Sequence, residues 1–66
     1  MNYNLLRGVM GKRGILQKEM AVCLGIKTGT LKRKMRGESE FTLYEINKIS
    51  KLLLLKKHEV MLIFFA

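Results

Sequence analysis

The sequence predicts an all-α fold, a compact bundle of four to five short helices, on three observations. Apolar residues recur at helical spacing in successive stretches, glycines rather than prolines punctuate those stretches, and one stretch opens with a complete helix-start signal. Sixty-six residues, 48% of them apolar, supply one small core, so the helices are expected to form a single unit over residues 1–66.

Asn2 can cap a first helix that carries Leu5, Leu6, Val9 and Met10 on one face and ends near Gly14. Gly8 and Gly11 lie inside it. Each interior glycine costs about 1 kcal/mol relative to alanine, so this helix depends on packing, and its bare backbone invites close approach by another helix. A second helix runs from about Gln17 to Leu24 with Met20, Ala21 and Leu24 inward; Gly25 then takes the positive φ that a sharp turn through Ile26 and Lys27 needs. The third helix, Thr28 to about Arg36, has only Leu31 and Met35 as apolar positions, so Lys32, Arg33 and Arg36 point outward. In "FTLYEI", Thr42 is an N-cap, Glu45 closes a capping box, and Phe41 and Ile46 form a hydrophobic staple for a fourth helix. Ile46, Ile49 and Leu53 line its inner face while Lys48 and Lys51 face water. Beyond Leu55 neither a 3.6 nor a 2.0 period fits, and "KKHEVMLIFFA" reads as a short fifth helix with an extended end.

Charge narrows the function. The net +8 is uneven: residues 1–37 carry nine Lys/Arg against Glu19 alone, whereas residues 38–66 carry four Lys against four Glu. Such a field favours a polyanion, with nucleic acid ahead of an anionic membrane surface. One cysteine, Cys23, rules out an internal disulfide, and with His58 as the lone histidine and no aspartate, neither a metal site nor a catalytic constellation can be assembled. No metal, no cofactor and no enzymatic activity are expected. The longest apolar run, Val60 to Phe65, falls far short of the roughly 20 residues of a membrane helix, and the first residues lack a signal-peptide layout. A soluble protein of the bacterial cytoplasm or nucleoid is the expectation.

From Gln17 to Gly37 the chain resembles the helix-turn-helix of small phage repressors and Cro-type regulators, the lambda-repressor-like domains. Gln17 opens the motif, Ala21 stands where its helices cross, Gly25 lies in the turn, Met20, Leu24, Ile26 and Leu31 fill the apolar offsets, and Gly37 closes it. "LKRKMRGESEFTLYEINKI" and the terminal "IFF" look like a phage-derived subgroup of similar length. Three positions depart from the pattern. Leu16 and Lys27 stand where relatives place Ser or Thr, which weakens two caps, leaving Thr28 to cap the third helix one residue late. Gly29 offers no side chain where relatives present a polar one, which shifts readout toward Lys32, Arg33 and Arg36.

The resemblance implies that the third helix lies in the major groove of a double-stranded DNA operator. Thr28, Lys32, Arg33 and Arg36 become base-reading candidates, with Arg33 best suited to guanine O6 and N7; Gln17, Lys18, Lys27 and Lys34 become phosphate candidates. Regulators of this kind pair on symmetric sites, so a homodimer on DNA is expected, with residues 59–66 as its tail and Val60, Leu62, Phe64 and Phe65 as contacts. The competing account folds that tail between Ile49 and Leu53 to complete the monomer's core. A repressor acting by operator occupancy is the favoured function. A protein-interaction module on the same fold, such as an antitoxin, antirepressor or inhibitor, is the alternative, and against it residues 27–37 contain no acid. RNA fits less well because no aromatic residue lies near the basic segment. No small-molecule ligand is expected.

Overall fold

The computed structural model describes residues 1–66. Asn2 starts α1 (Tyr3–Arg13) with its side-chain oxygen accepting the Leu5 N–H at 2.9 Å, and Gly14 ends it in the left-handed region at φ 69°. Helix α2 (Gln17–Leu24) ends at Gly25, φ 70°, where the Ile26 N–H returns to the Ala21 carbonyl at 3.0 Å. Helix α3 is Thr28–Met35 and α4 is Leu43–Leu52. The capping box of α4 is complete: the Glu45 N–H donates to Thr42 Oγ1 at 3.1 Å, and the Thr42 N–H donates to Glu45 Oε1 at 2.8 Å. Helix α5 (Lys57–Val60) continues into a π-helical turn, Met61–Phe65.

Helices α1 to α4 and the π turn contribute to one core. Leu6 and Met10 come from α1, Met20, Ala21 and Leu24 from α2, Leu31 and Met35 from α3, Ile49 from α4 with Leu53 just beyond it, and Ile63 and Phe64 from the π turn. The chain is all-helical, and α1 to α4 fall where the hydrophobic spacing places them.

Several expectations change in detail. Leu5 sits at the edge of the α1 stripe, 37% exposed, because Leu6 and Met10 define its centre. Gly8 and Gly11 face open space, with nothing within 4 Å of where a Cβ would lie, so no helix approaches them closely. Lys27, not Thr28, is the N-cap of α3, and no side chain caps that helix. Lys48 is half-buried, its ammonium 5.7 Å from the centre of the Tyr44 ring. The chain end is not extended: the π turn is one residue wider than an α turn, which brings the adjacent Ile63 and Phe64 inward together and explains why neither simple period fits. Phe64 is therefore a core residue, 9% exposed, with its ring packed edge-on against Phe41 at 5.9 Å, and it is withdrawn from the dimer contacts. The Asn2 N–H donates to the Ile63 carbonyl at 2.7 Å, tying the start of α1 to this turn.

Candidate nucleic-acid interface

Helix α3 divides its residues cleanly between inside and outside. Leu31, Lys34 and Met35, at spacings of three and four, turn inward, while Gly29, Lys32, Arg33 and Arg36 are exposed at i, i+3, i+4 and i+7 and form one outward stripe. Thr28 and Thr30 are half-buried at its flanks, and Lys27 is exposed at its start. The stripe carries three cations and no acid. Arg36 ends it as the C-cap, with Nε 2.7 Å from Glu38 Oε2, and both side chains are more than half exposed. Such a surface pair contributes little energy and leaves Arg36 free to exchange partners.

Two α1 side chains set the pose of the neighbouring helices. Arg7 Nη2 donates to the Met35 carbonyl at 3.1 Å, satisfying an orphan group at the end of α3, and Arg13 Nε donates to the Leu53 carbonyl at 3.0 Å just past the end of α4. Tyr3 packs beside Gly37, where φ is 81°, so the exit from α3 favours glycine on backbone grounds, and an added Cβ, 3.0 Å from the phenol oxygen, would also have to push the Tyr3 side chain aside. Sequence reasoning missed Arg7 and Tyr3 as supports, since no local signal links residues about thirty positions apart.

Lys34 corrects the expected phosphate set. It is 8% exposed, with Nζ 2.7 Å from Glu45 Oε1 and 3.1 Å from the Glu40 carbonyl, and it lies 5.9 Å from the centre of the Phe41 ring. The reason is positional: residue 34 follows Leu31 by three and precedes Met35 by one, which places it on the buried face, and Glu45 in the first turn of α4 supplies its counter-charge. Burial raises the affinity of Glu45 for a proton, but the Lys34 ammonium and the Thr42 N–H outweigh it and hold the carboxyl below its usual range.

Gln17 and Lys18 open α2, Gln17 half-buried and Lys18 exposed. Their helix start has no side-chain cap, because Leu16 offers no acceptor; Glu19 Oε1 instead receives the Leu16 N–H at 2.8 Å. The first-turn N–H groups of α2 and of α3 are thus free of side-chain partners, and both helix starts carry an exposed cation, Lys18 and Lys27 respectively.

Two crossed helices joined at a left-handed glycine, the second presenting a positive outer stripe, match the family model for Cro/C1-type helix-turn-helix DNA-binding domains over residues 5–61. The chain belongs to this family. No curated protein and no solved structure matches the chain. Membership in the Cro/C1 type makes the protein a DNA-binding transcriptional regulator. No helix is long and apolar enough to cross a membrane, and no three His, Cys or Glu side chains gather as a metal site.

Proposed function

We propose that this Cro/C1-type regulator is a phage or prophage repressor that acts in the bacterial cytoplasm by occupying a double-stranded operator as a homodimer. The observation that supports the reading most strongly is the acid-free outward stripe of α3. Laid in a major groove, such a stripe directs Lys32 and Arg33 toward base edges, and the bare backbone at Gly29 lets the helix start sit close to the DNA. Arg33 is the principal reader, with its planar fork on guanine; Thr28 flanks it, and Arg36, at the far end beside Glu38, reaches the backbone. Lys18 and Lys27 bind phosphate together with the uncapped N–H groups of their helices, and Gln17 adds its amide.

The dimer contact is assigned to the tail of this single domain, residues 59–66. Leu62 and Phe65 are about half exposed and Val60 is half-buried, and Phe65 borders an apolar groove of about 390 Å³ that Leu43 flanks on α4. Apolar surface so concentrated favours a symmetric contact between two copies. Selection of bound fragments from random duplex DNA tests the whole reading. The expected product is an inverted repeat with half-site centres about 34 Å apart. Enrichment of a single unrepeated half-site would remove the dimer, and no enrichment at all would remove sequence-specific repression.

A further inference from the structure

Leu54 is the one non-glycine residue with a left-handed backbone, φ 55°. It follows α4 in the place where a helix usually ends on glycine, and a paired turn holds it: the Leu54 N–H donates to the Lys51 carbonyl at 3.3 Å and the Leu55 N–H to the Ser50 carbonyl at 2.9 Å. The Cβ makes this conformation sterically unfavourable, and the side chain gains no burial in return, being 70% exposed. The turn holds the backbone, but nothing in the monomer covers the side chain it presents, which points to a use outside the monomer.

The surroundings of Leu54 are basic. Lys51 precedes it on the last turn of α4, Lys56 and Lys57 follow at the start of α5, and Arg13 reaches the adjoining Leu53 carbonyl; all four are exposed. Glu59 is the nearby acid, and it is already engaged, accepting the Lys56 N–H at 2.8 Å with Arg13, Lys56 and His58 close enough to act on its charge. This patch is remote from the α3 stripe. Lys34 and Glu45 join α3 to the first turn of α4, whereas Leu54 lies past the last, about 15 Å along the helix.

We propose that Leu54 and its neighbouring cations Arg13, Lys51, Lys56 and Lys57 dock an acidic segment of a partner protein that carries an apolar side chain. Charge selects this occupant. A symmetric contact with a second copy would set four cations against four, and a duplex backbone supplies phosphates but no apolar group for the leucine. The inference does not depend on which operator α3 reads.

The test uses the isotope-labelled full chain and a capped peptide of alternating glutamate and leucine, followed by NMR. The largest shifts are expected at Arg13 and at residues 51–57, and replacing the peptide's leucines with alanine should weaken binding about tenfold. Leu54→Gly preserves the helix end and should weaken the leucine-bearing peptide by about the same factor while raising the melting temperature. Equal peptide affinity in Leu54→Gly, or largest shifts on α3, would overturn the proposal. Two further results would also overturn it: dissociation of a dimer on Leu54→Gly substitution would assign the patch to a second copy, and weaker duplex binding by Lys56→Glu/Lys57→Glu than α3 alone explains would assign it to DNA.

Discussion

Lys34→Ala is expected to lower the stability of the fold by roughly 3 kcal/mol, because it leaves the buried carboxylate of Glu45 without its cation. A chain of 66 residues has a total stability of about 3 to 10 kcal/mol, so this substitution removes a large share of it and can unfold the domain near body temperature. Thermal melting reads the effect directly. The double change Lys34→Met with Glu45→Gln should recover most of the loss, since glutamine still accepts the Thr42 N–H and the methionine fills the volume next to Phe41. The pH dependence follows from the lowered carboxyl: folded Glu45 binds a proton less readily than unfolded Glu45, so its stabilisation is complete above about 4.5 and is lost as pH falls through the folded value. The gap between the melting temperatures of parent and Lys34→Ala should therefore narrow in acid. An unchanged melt with a loss of DNA affinity would return Lys34 to the phosphate set.

Affinity for duplex DNA should fall about a thousandfold between 50 and 200 mM salt, the decline expected for some six phosphate contacts. The structure bears on that count. Of the nine cations in residues 1–37, Arg7 and Arg13 each hold a helix-terminal carbonyl and Lys34 is paired inside, which leaves Lys32 and Arg33 for base edges and Lys12, Lys18, Lys27 and Arg36 for the backbone, so two copies on one operator carry enough cations for six phosphate contacts. All six of these side chains are exposed. Fluorescence anisotropy across a salt series gives the slope, and Lys18→Ala should make it shallower by about one for each bound copy. A flat response would show that the positive face is a solvated surface only.

The helix boundaries and the core were legible because they rest on local rules. Asn2, Gly14, Gly25 and Thr42 sit at helix ends, where capping and left-handed turns select a few residue types, and Met20 with Leu24, Leu31 with Met35 and Ile49 with Leu53 repeat at helical spacing. What escaped the sequence is non-local. The spacing of Leu31 and Met35 within "LKRKMRG" turns Lys34 inward and Arg33 outward, but the counter-charge that lets an ammonium stay there, Glu45, arrives from α4 and is not visible in that stretch. Arg7 likewise becomes a support for α3 through a contact with Met35 that chain order does not announce. The tail resisted reading for a different reason: a π turn changes the angular step between residues, so a fixed-period template fails even though Ile63 and Phe64 are buried.

The central claim is that α3 reads bases with its outward stripe, and the most direct measurement compares parent and Arg33→Ala across a set of duplexes that differ at single base pairs of the selected site. The account predicts that Arg33→Ala loses roughly 1 to 3 kcal/mol on the preferred site and loses its preference at one base position, with discrimination elsewhere retained. An equal loss on every duplex, with the base preferences intact, would contradict it and place Arg33 on the phosphate backbone.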